Sequence, residues 1–446
     1  MAPDVDHPGT TPPPSARRRV VLGVLAAMAL ALAVACGSSG QAPASDASGS
    51  AAGDPADGST DAGPAPEDFQ PVSVSFVSAD QGFVLGTKIC ETPPCTSLRA
   101  TDDGGTTWQP RPAPPAPLAL SPADASSSSA DDESTSDTSA ADQATTNPST
   151  TGTSAIAGEP LGTGTPVDAI SELRFGDHLD GWAFGPGLWS THDGGEHWAA
   201  QDLSGTVTDL ASADGVTYAV VTNCPSGSCE QGATLYRTDA TTDDWQVVDG
   251  ASLPAEGGQI ELHARSAWFV GPSTVDGGGA TFLASTDGAT WIQHDDPCLA
   301  DDALLAGVAP VDSTRLFLLC VNDPGAGSQG KSVRLSDDGG ATSTAQGSPD
   351  RGGIASEIAA ADADSLAVAA QSGASFIYRS GDGGRSWATV EDRADGGAGF
   401  HDLDLTTPTE GVVIYGEADI TATPPSTSRL LMTHDGGATW TPIALP

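Results

Sequence analysis

One eight-residue pattern recurs along this 446-residue chain and constrains its fold more than any other feature. In its intact form the pattern begins with Ser or Thr, has Asp-Gly-Gly at positions three to five, and ends in Trp. The intact copies span residues 101–108, 191–198, 380–387 and 433–440. Three eroded copies span residues 238–245, 285–291 and 336–343, the last ending in Ser343. A segment repeated in this way predicts a fold built from repeated units.

The chemistry of the pattern predicts a turn between two strands. An Asp carboxylate accepts hydrogen bonds from nearby backbone N–H groups, and glycine adopts positive φ without steric cost. The Ser or Thr before the turn and the Trp after it suit a half-buried pleated surface. Each copy therefore predicts a β-hairpin with a large apolar residue just past the turn.

The spacing of the copies predicts the size and number of the units. Successive copies end 44 to 53 residues apart, except for the first two, which end 90 residues apart. The longer interval contains residues 113–165, a run rich in Ser, Thr, Ala, Pro and Asp without an aromatic residue. Without that run each repeat has about 46 residues, the size of a four-stranded propeller blade. The sequence therefore predicts an all-β fold, a seven-bladed β-propeller of four-stranded blades.

Together the copies resemble the Asp-box, also called the BNR repeat, of sialidases, sortilin-type receptors and the photosystem II assembly factor family. The resemblance covers residues 71–446. It implies a β-propeller in which the boxes are structural and lie away from the ligand site. The residues that match the box are Asp103, Trp108, Asp193, Trp198, Asp287, Trp291, Asp338, Asp382, Trp387, Asp435 and Trp440.

The two ends of the repeat region predict how the ring closes. The strand pattern starts at Pro71 with the innermost strand of the first repeat, and it finishes with the outermost strand of the last repeat. No spare strand is visible in the sequence at either end. We therefore expect closure by packing of the first blade on the seventh, without a strand exchanged between them.

The amino-terminal residues predict export and lipidation. Three arginines at 17–19 precede sixteen uncharged residues, 20–35, and then Cys36. This order is typical of a signal peptide, and the last five residues resemble a bacterial lipobox. Residues 1–35 are thus predicted to be a lipoprotein signal peptide, and Cys36 to be lipidated on the outer face of a bacterial cell membrane. An uncleaved anchor is the alternative, and the arginines leave twin-arginine export open.

Two segments lack the apolar residues that a folded core needs. Residues 36–70 consist largely of Ala, Gly, Ser, Pro and Asp, and residues 113–165 have a similar composition. Such segments cannot offset the entropy of ordering by burial. We predict a disordered tether at 36–70 and a disordered insertion at 113–165 within a propeller of residues 71–446.

The cysteines predict disulfide bonds in an oxidising compartment. Once Cys36 is set aside, the remaining six occur as neighbouring pairs along the chain. This arithmetic predicts three disulfides. The paired residues are Cys90, Cys95, Cys224, Cys229, Cys298 and Cys320. In a four-stranded blade all six fall on the face opposite the box turns, which is the usual ligand face of such propellers.

The charge of the chain limits its partners. It has 59 Asp and Glu residues against 17 Lys and Arg, for a net charge of −42. A chain this acidic does not attract nucleic acid or anionic lipid through its net charge. We expect a monomer that reaches the membrane through its lipid and binds a protein or a cell-envelope glycan.

Catalytic and metal-binding signals are weak. The resemblance to sialidases implies three arginines that clamp a substrate carboxylate at the channel mouth. Here Arg174, Arg265 and Arg315 are predicted near first–second strand turns on the box face. Lys88 and Lys331 are the basic residues predicted in loops of the opposite face. Because the sequence has no His-x-x-x-His pair and no EF-hand spacing, we expect no metal and no cofactor.

These observations predict a non-catalytic, lipid-anchored propeller outside the cytoplasm with a scaffold or assembly role. No catalytic residue is assigned. The alternative is an exo-sialidase-like glycoside hydrolase, which requires a pair of carboxylates about 5–10 Å apart.

Overall fold

The computed structural model describes residues 69–88, 90, 95–119, 168–224, 229, 231–274, 278–418 and 427–446. All of them belong to one compact unit, Asp61–Pro446. The predicted signal peptide, Cys36, most of the tether and residues 120–165 of the insertion lie outside the described residues. Among the residues described, no helix has the length and apolar character needed to cross a membrane.

The first four blades each contain four antiparallel strands that follow one another in sequence. In chain order these strands are β1 (Phe69–Phe76), β2 (Gly82–Lys88), β3 (Cys95–Thr101), β4 (Gln109–Arg111), β5 (Glu172–Phe175), β6 (Asp180–Phe184), β7 (Leu188–His192), β8 (Ala199–Gln201), β9 (Thr206–Ala213), β10 (Val216–Thr222), β11 (Thr234–Asp239), β12 (Gln246–Val247), β13 (Gln259–His263), β14 (Ser266–Gly271), β15 (Thr281–Ser285) and β16 (Ile292–His294).

The last three blades have the same order. Their strands are β17 (Leu304–Pro310), β18 (Leu316–Val321), β19 (Lys331–Ser336), β20 (Thr344–Ala345), β21 (Ile354–Ala360), β22 (Leu366–Gln371), β23 (Gly373–Ser380), β24 (Ala388–Gly396), β25 (Phe400–Asp404), β26 (Gly411–Tyr415), β27 (Arg429–Thr433) and β28 (Thr441–Pro442). A 3₁₀ turn at Leu299–Asp301 joins blades 4 and 5. The predicted all-β, seven-bladed, four-stranded fold is confirmed, and β1 begins two residues before the predicted start at Pro71.

The seven blades form a ring around their innermost strands. Each innermost strand contacts that of the next blade, and β25 of blade 7 lies beside β1 of blade 1. The turns after each first and third strand lie on one face, which we call the box face. The loops after each second strand and the connections between blades lie on the opposite face, which we call the loop face.

Each intact box holds its turn with the hydrogen bonds that the sequence predicts. In blade 6 the Asp382 carboxylate accepts from the backbone N–H of Ser386 at 2.8 Å and from its hydroxyl at 2.6 Å. These bonds lower the pKa of Asp382 to about 2. The Ser380 hydroxyl accepts from the N–H of Gly384, whose φ of 79° requires glycine. The N–H of Gly383 donates to Asp364 O, which fastens the box to the first turn of its blade.

The box tryptophans lie at the interfaces between blades. Trp440 packs between blades 6 and 7, and Trp108 packs between blades 7 and 1. Both are nearly buried, with 6% and 5% of their surface exposed, whereas Trp198 and Trp387 are half-buried. The indole N–H of Trp387 donates to Gly384 O of its own box at 2.9 Å. The indole therefore closes its own turn and fills the seam with the preceding blade.

Where a box is eroded, the preceding blade supplies the missing parts. Blade 5 has Ser343 in place of Trp, and there the indole N–H of Trp268 in blade 4 donates to Gly339 O at 3.0 Å. In the short box of blade 4, the Tyr218 hydroxyl of blade 3 donates to Gly288 O at 2.9 Å. The ring of Phe282 lies over Gly340, so that a Cβ there would be 2.6 Å from it. At the rim beside Ser343, where the other boxes have tryptophan, the structure has a cleft of about 410 Å³.

Restoring the box tryptophan of blade 5 is expected to destabilise the protein. Ser343→Trp would compete with Phe282 for the space over Gly340, and overpacking costs about 1–3 kcal/mol. Phe282→Leu opens that space, since Leu98 occupies the equivalent place next to Gly195. The free energy of unfolding of the double variant should therefore exceed the value expected from additive single changes by at least about 1 kcal/mol. Chemical denaturation of all four proteins measures this coupling. A stabilising Ser343→Trp in the wild-type background would contradict it.

The start of the predicted insertion belongs to the propeller. Residues 113–119 are described, and Ala116 and Leu118 are each only 5% exposed at the interface of blades 1 and 2. Backbone hydrogen bonds join Pro117 and Ala119 to Ile170. The prediction of disorder from residue 113 is therefore corrected, because two small apolar side chains and a short bridge suffice to order these seven residues.

Two deletions should separate the ordered start from the remainder of the insertion. Replacing residues 120–165 with a six-residue Gly-Ser linker should change stability by less than about 1 kcal/mol, since closure entropy varies slowly with loop length. Removing residues 113–165 instead should cost about 2–5 kcal/mol, because it strips Leu118 from its pocket. Thermal unfolding compares the two. Equal melting temperatures would mean that residues 113–119 contribute nothing.

The ring closes through side chains, as the sequence predicts. Among the strands that the structure describes, none from blade 7 enters the sheet of blade 1. The N–H of Ser428 donates to Gln70 Oε1 at 2.8 Å, and its hydroxyl donates to Pro71 O. The guanidinium of Arg99 in blade 1 donates to the carbonyl of the terminal Pro446 at 2.7 Å.

Candidate functional site: an acidic central channel and the disulfide-tied face

The innermost strands carry two rows of residues at equivalent register positions around the channel. The first row contains Ser73, Glu172, Asp209, Gln259, Gly307 and Glu357, with Asp402 in the bulge of β25. The second row contains Ser75, Arg174, Ala211, Glu261, Ala309, Ala359 and Asp404. Six of these residues are acidic and one is basic, so the rows together carry a large excess of negative groups.

Three of the carboxylates each fasten one blade to the next. Asp209 of blade 3 accepts from the N–H of Ile260 in blade 4 at 2.6 Å. Glu357 of blade 6 accepts from the N–H of Leu403 in blade 7 at 2.6 Å. Asp402 of blade 7 accepts from the N–H of Val74 in blade 1 at 2.7 Å. The acids thus act in one direction around the ring, each bonding to backbone N–H groups that the neighbouring strand leaves free.

In blade 1, serine hydroxyls make the equivalent hydrogen bonds to the neighbouring blades. The Ser73 hydroxyl donates to Asp402 at 2.6 Å and accepts from the N–H of Leu173 in blade 2 at 3.0 Å. The Ser75 hydroxyl accepts from the N–H of Phe175 at 2.9 Å. Since blade 1 bonds to both neighbours in this way, the seam between blades 7 and 1 has the same side-chain fastening as the seams between blades 1 and 2, 3 and 4, and 6 and 7.

Arg174 is the one cation in the two rows. Its guanidinium lies 3.4 Å from Glu172 and 3.6 Å from Asp402, which belongs to the blade beyond blade 1. Burial alone would lower the pKa of Arg174, but the carboxylates of Asp402 and Glu172 raise it above its ordinary value. Because Glu172 belongs to blade 2 and Asp402 to blade 7, this side chain reaches past blade 1 and neutralises part of the acidic rows.

Three glutamates of the two rows have pKa values far above the usual range. Burial, and then the charge of Asp402, raises the pKa of Glu172 to about 8. Burial and the neighbouring acids raise the pKa of Glu261 to about 8 and that of Glu357 to about 7. The side chain of Glu261 is accessible to solvent within the channel, and the channel wall around it desolvates its carboxylate. At neutral pH the channel therefore holds protonated as well as ionised carboxyl groups.

The channel arrangement is suited to holding the ring together. Three of its carboxylates, those of Asp209, Glu357 and Asp402, already accept hydrogen bonds from backbone N–H groups. Across the described residues, no group of three or more His, Cys, Asp or Glu side chains is placed to hold a metal ion. The hydrogen bonds within the channel account for the positions of Asp209, Glu357 and Asp402 without a ligand.

The predictions for two basic residues were wrong. Arg174 was expected near a first–second strand turn on the box face; it lies in β5, two residues before that turn, but its side chain is in the channel. Lys331 was expected in a loop, but it begins β19 and is buried. Its ammonium group donates to the carbonyls of Gln329, Gly352 and Gly353 at 2.8–3.0 Å. Burial lowers the pKa of Lys331 to about 8, and its role is to join blade 5 to blade 6.

Three other arginines bond to groups in their own blade, in an adjacent blade or in the connection between two blades. Arg315 pairs with Asp337 on the box face at 2.6 Å. Arg334 bonds to Asp301 and to Ser343 Oγ. Arg379 donates to Gly436 O of the next box at 2.5 Å. Arg315 and Arg334 belong to blade 5 and Arg379 to blade 6, and each guanidinium bonds to a different partner, so they do not assemble the three-arginine clamp that the sialidase alternative implies.

The loop face carries the disulfides. Cys90–Cys95 closes the loop between β2 and β3, with a Cα–Cα distance of 6.1 Å, and Cys224–Cys229 closes the loop between β10 and β11 at 4.2 Å. Cys298–Cys320 joins the connection before β17 to the end of β18 at 5.5 Å. The predicted pairing is present, and the three bridges stiffen blades 1, 3, 4 and 5 on one face.

Comparisons with known proteins concern the fold. No protein-family profile matches the chain, and no curated protein matches it significantly. Similar solved structures include YCF48 bound to a D1 peptide, at 17% identity over 83% of this chain and 95% of that chain, with a TM-score of 0.48. YCF48 from Cyanidioschyzon merolae follows at 15% identity over 83% and 97% of the chains, with a TM-score of 0.48.

The GH74 enzyme of Niastella koreensis is also similar, at 10% identity over 84% of this chain and 66% of that chain, with a TM-score of 0.39. At these identities and scores, the likenesses carry nothing about ligand or activity. The assignment as a propeller rests on the seven sheets of this chain.

Proposed function

We propose that this protein is a non-catalytic binding propeller that recognises a protein partner with its loop face. The observation that carries the proposal is the position of the disulfides, all three of which stiffen that face. Rigid loops lose little entropy on binding, so a surface held in this way is prepared for a partner. The box face, in contrast, is occupied by turns that hold each blade together.

A protein partner suits the described surface better than a glycan. Sugar rings are commonly held against the flat face of an exposed aromatic side chain. Within the described ranges, the large hydrophobic residues that are exposed are all aliphatic: Leu179, Val247, Ile292 and Leu299. Leu299 is 47% exposed and follows Cys298 directly, so the stiffened face presents an apolar contact of the kind found at protein interfaces.

The location follows from the sequence alone and is part of the proposal. Lipidation of Cys36 would hold the propeller at the outer face of a bacterial membrane, with residues 37–68 as the tether. Fractionation of cells that express Cys36→Ala tests the anchor. Release of the protein into the soluble fraction would support it, and unchanged membrane association would mean that residues 20–35 are the anchor.

Two exposed leucines provide a matched test of the loop face. Leu299 lies on the loop face, and Leu179, which is 43% exposed, lies on the box face. We expect Leu299→Asp to reduce recovery of the partner at least about tenfold, which is about 1.4 kcal/mol. Leu179→Asp adds the same charge on the other face and should leave recovery unchanged. Affinity capture from membrane extract, quantified by mass spectrometry, compares the wild type with both variants.

The reverse result would place the site elsewhere. If Leu179→Asp lost the partner and Leu299→Asp kept it, the box face would be the binding face. Circular dichroism of both variants confirms that each is folded. Hydrolysis of a sialoside by the wild type would overturn the non-catalytic part of the proposal.

A further inference from the structure

One outer strand differs from the other six. The fourth strands of the other blades, β4, β8, β12, β16, β20 and β28, have two or three residues each. The fourth strand of blade 6, β24, has nine residues, Ala388–Gly396. Blade 6 therefore ends in a long hairpin at the rim of the ring.

Outer strands expose an unpaired row of N–H and C=O groups, which natural proteins usually keep short or interrupt with proline. The short strands β4 and β28 contain Pro110 and Pro442. Strand β24 contains no proline and pairs only with β23 among the strands described. Blade 6 thus lacks the protection that a short strand gives. Two register shifts interrupt the pairing of β24 with β23, and between them the edge is regular from Glu391 to Arg393.

The side of β24 that faces blade 7 is firmly packed. The guanidinium of Arg393 binds Glu391 at 2.8 Å and lies 4.5 Å from the centre of the Tyr415 ring. The Tyr415 hydroxyl donates to Asp395 at 2.8 Å. These contacts join β24 to β26 and hold the strand extended before any partner arrives.

The side of β24 that faces blade 5 is acidic and open. Asp392 is exposed and has no cationic partner among the described residues. The Thr389 hydroxyl lies 3.3 Å from the carboxylate of Asp350, which is also exposed. A strand added beside β24 would place every second side chain over these two acids.

We propose that the free edge of β24 accepts an extended segment of a protein partner as a fifth strand of blade 6. The segment carries Lys or Arg at alternate positions, which face Asp392 and Asp350. Backbone hydrogen bonds along the strand supply affinity, and the two acids supply selectivity. This surface goes beyond the loop-face site and rests on the proposed function only in that the partner is a protein.

A synthetic octapeptide of alternating Lys and Val provides the probe. On binding, we expect hydrogen exchange of amides within residues 388–396 to slow at least about tenfold. Amides of the short outer strands should be unaffected. The octapeptide of alternating Glu and Val should give no protection, because its charges meet Asp392 and Asp350. Salt should weaken the effect.

Charge reversal tests the assignment of the acids. Asp392→Lys should reduce protection by the Lys peptide at least about fivefold and allow protection by the Glu peptide. The matched control is Asp244→Lys, an equally exposed acid beside the short strand β12, which should change neither result. Because both positions are exposed, we expect both variants to fold, and circular dichroism checks this.

Three results would overturn the proposal. They are absence of protection in β24 at millimolar Lys peptide, equal protection of the short outer strands, and an unchanged response of Asp392→Lys. The outcome is independent of the leucine pair on the two faces. If the Lys peptide gives no protection but Leu299→Asp loses the partner, only the rim site is rejected. If the Lys peptide protects β24 but Leu299→Asp keeps the partner, only the loop-face site is rejected.

Discussion

Replacing Arg174 with Met should lower the free energy of unfolding at pH 8 by about 2–3 kcal/mol. Removing one partner of a buried ion pair costs about 3–5 kcal/mol, and the side chain of Arg174 is 34% exposed to the channel, which reduces the effect. The loss arises because Glu172 and Asp402 keep their mutual repulsion when the guanidinium is gone. The methionine retains most of the apolar stem but loses the guanidinium that lies 5.9 Å from the centre of the Phe184 ring, so loss of this cation–π contact is part of the cost.

The size of this loss should depend on pH. Glu172, Glu261 and Glu357 have folded-state pKa values of about 8, 8 and 7. Their unfolded values are near 4.3. Between these limits the folded protein binds more protons than the unfolded chain, so stability falls as pH rises from about 5 to 8. Without Arg174 this fall should be steeper, and the variant should approach wild-type stability near pH 5.

Urea denaturation at pH 5, 6, 7 and 8 measures the effect. The matched control is Arg265→Met, an exposed arginine on the box face, which should change stability by less than about 0.5 kcal/mol at every pH. Arg174→Lys keeps the charge and should lie between the wild type and Arg174→Met. A constant loss from pH 5 to pH 8 would show that Arg174 acts through packing and not through charge.

Truncating Trp440 to Ala should cost about 3–5 kcal/mol, as for other buried tryptophans. The indole is 6% exposed and packs between blades 6 and 7 against Phe400 and Leu431. Its N–H has no hydrogen-bond partner in the described part of the chain. Trp440→Phe should therefore cost less than about 1.5 kcal/mol, because it keeps the ring in the seam and loses no hydrogen bond.

Guanidinium unfolding of both variants tests the Trp440 prediction, with partner capture measured on the folded fraction. Trp387→Ala provides a comparison, since that indole is half-buried and bonds to Gly384 O. It should cost less than Trp440→Ala. Capture by the folded variants should equal that of the wild type. A stable Trp440→Ala that fails to bind would make the box a recognition element.

The fold could be predicted from the sequence because its signals are local. A copy of the repeated pattern such as 380–387 contains its own turn, hydrogen bonds and strand ends within eight residues, so a single copy predicts a hairpin and seven copies predict the ring. The disulfides could be predicted for the same reason, since two of the three pairs are five residues apart.

Interactions between blades could not be predicted in this way. The contact of Phe282 with Gly340 depends on which third-strand residue meets the next box, and neither residue signals it alone. The channel acids belong to strands about 50 residues apart, and only the strand register places Glu172 and Asp402 together. Aligning the seven innermost strands on their second-strand partners would have shown both rows.

Because every sheet consists of four consecutive strands, the chain has no topologically privileged beginning. Any connection between blades could serve as the site of new termini if a linker joined Phe69 to Pro446, because Arg99 contacts both: its guanidinium lies 5.0 Å from the centre of the Phe69 ring and donates to Pro446 O. Gene duplication or loss in such an architecture can proceed by whole blades, without leaving an orphaned strand. The directional bonds between neighbouring innermost strands, including the one that Asp402 accepts from the N–H of Val74, would re-form around a circularly permuted ring.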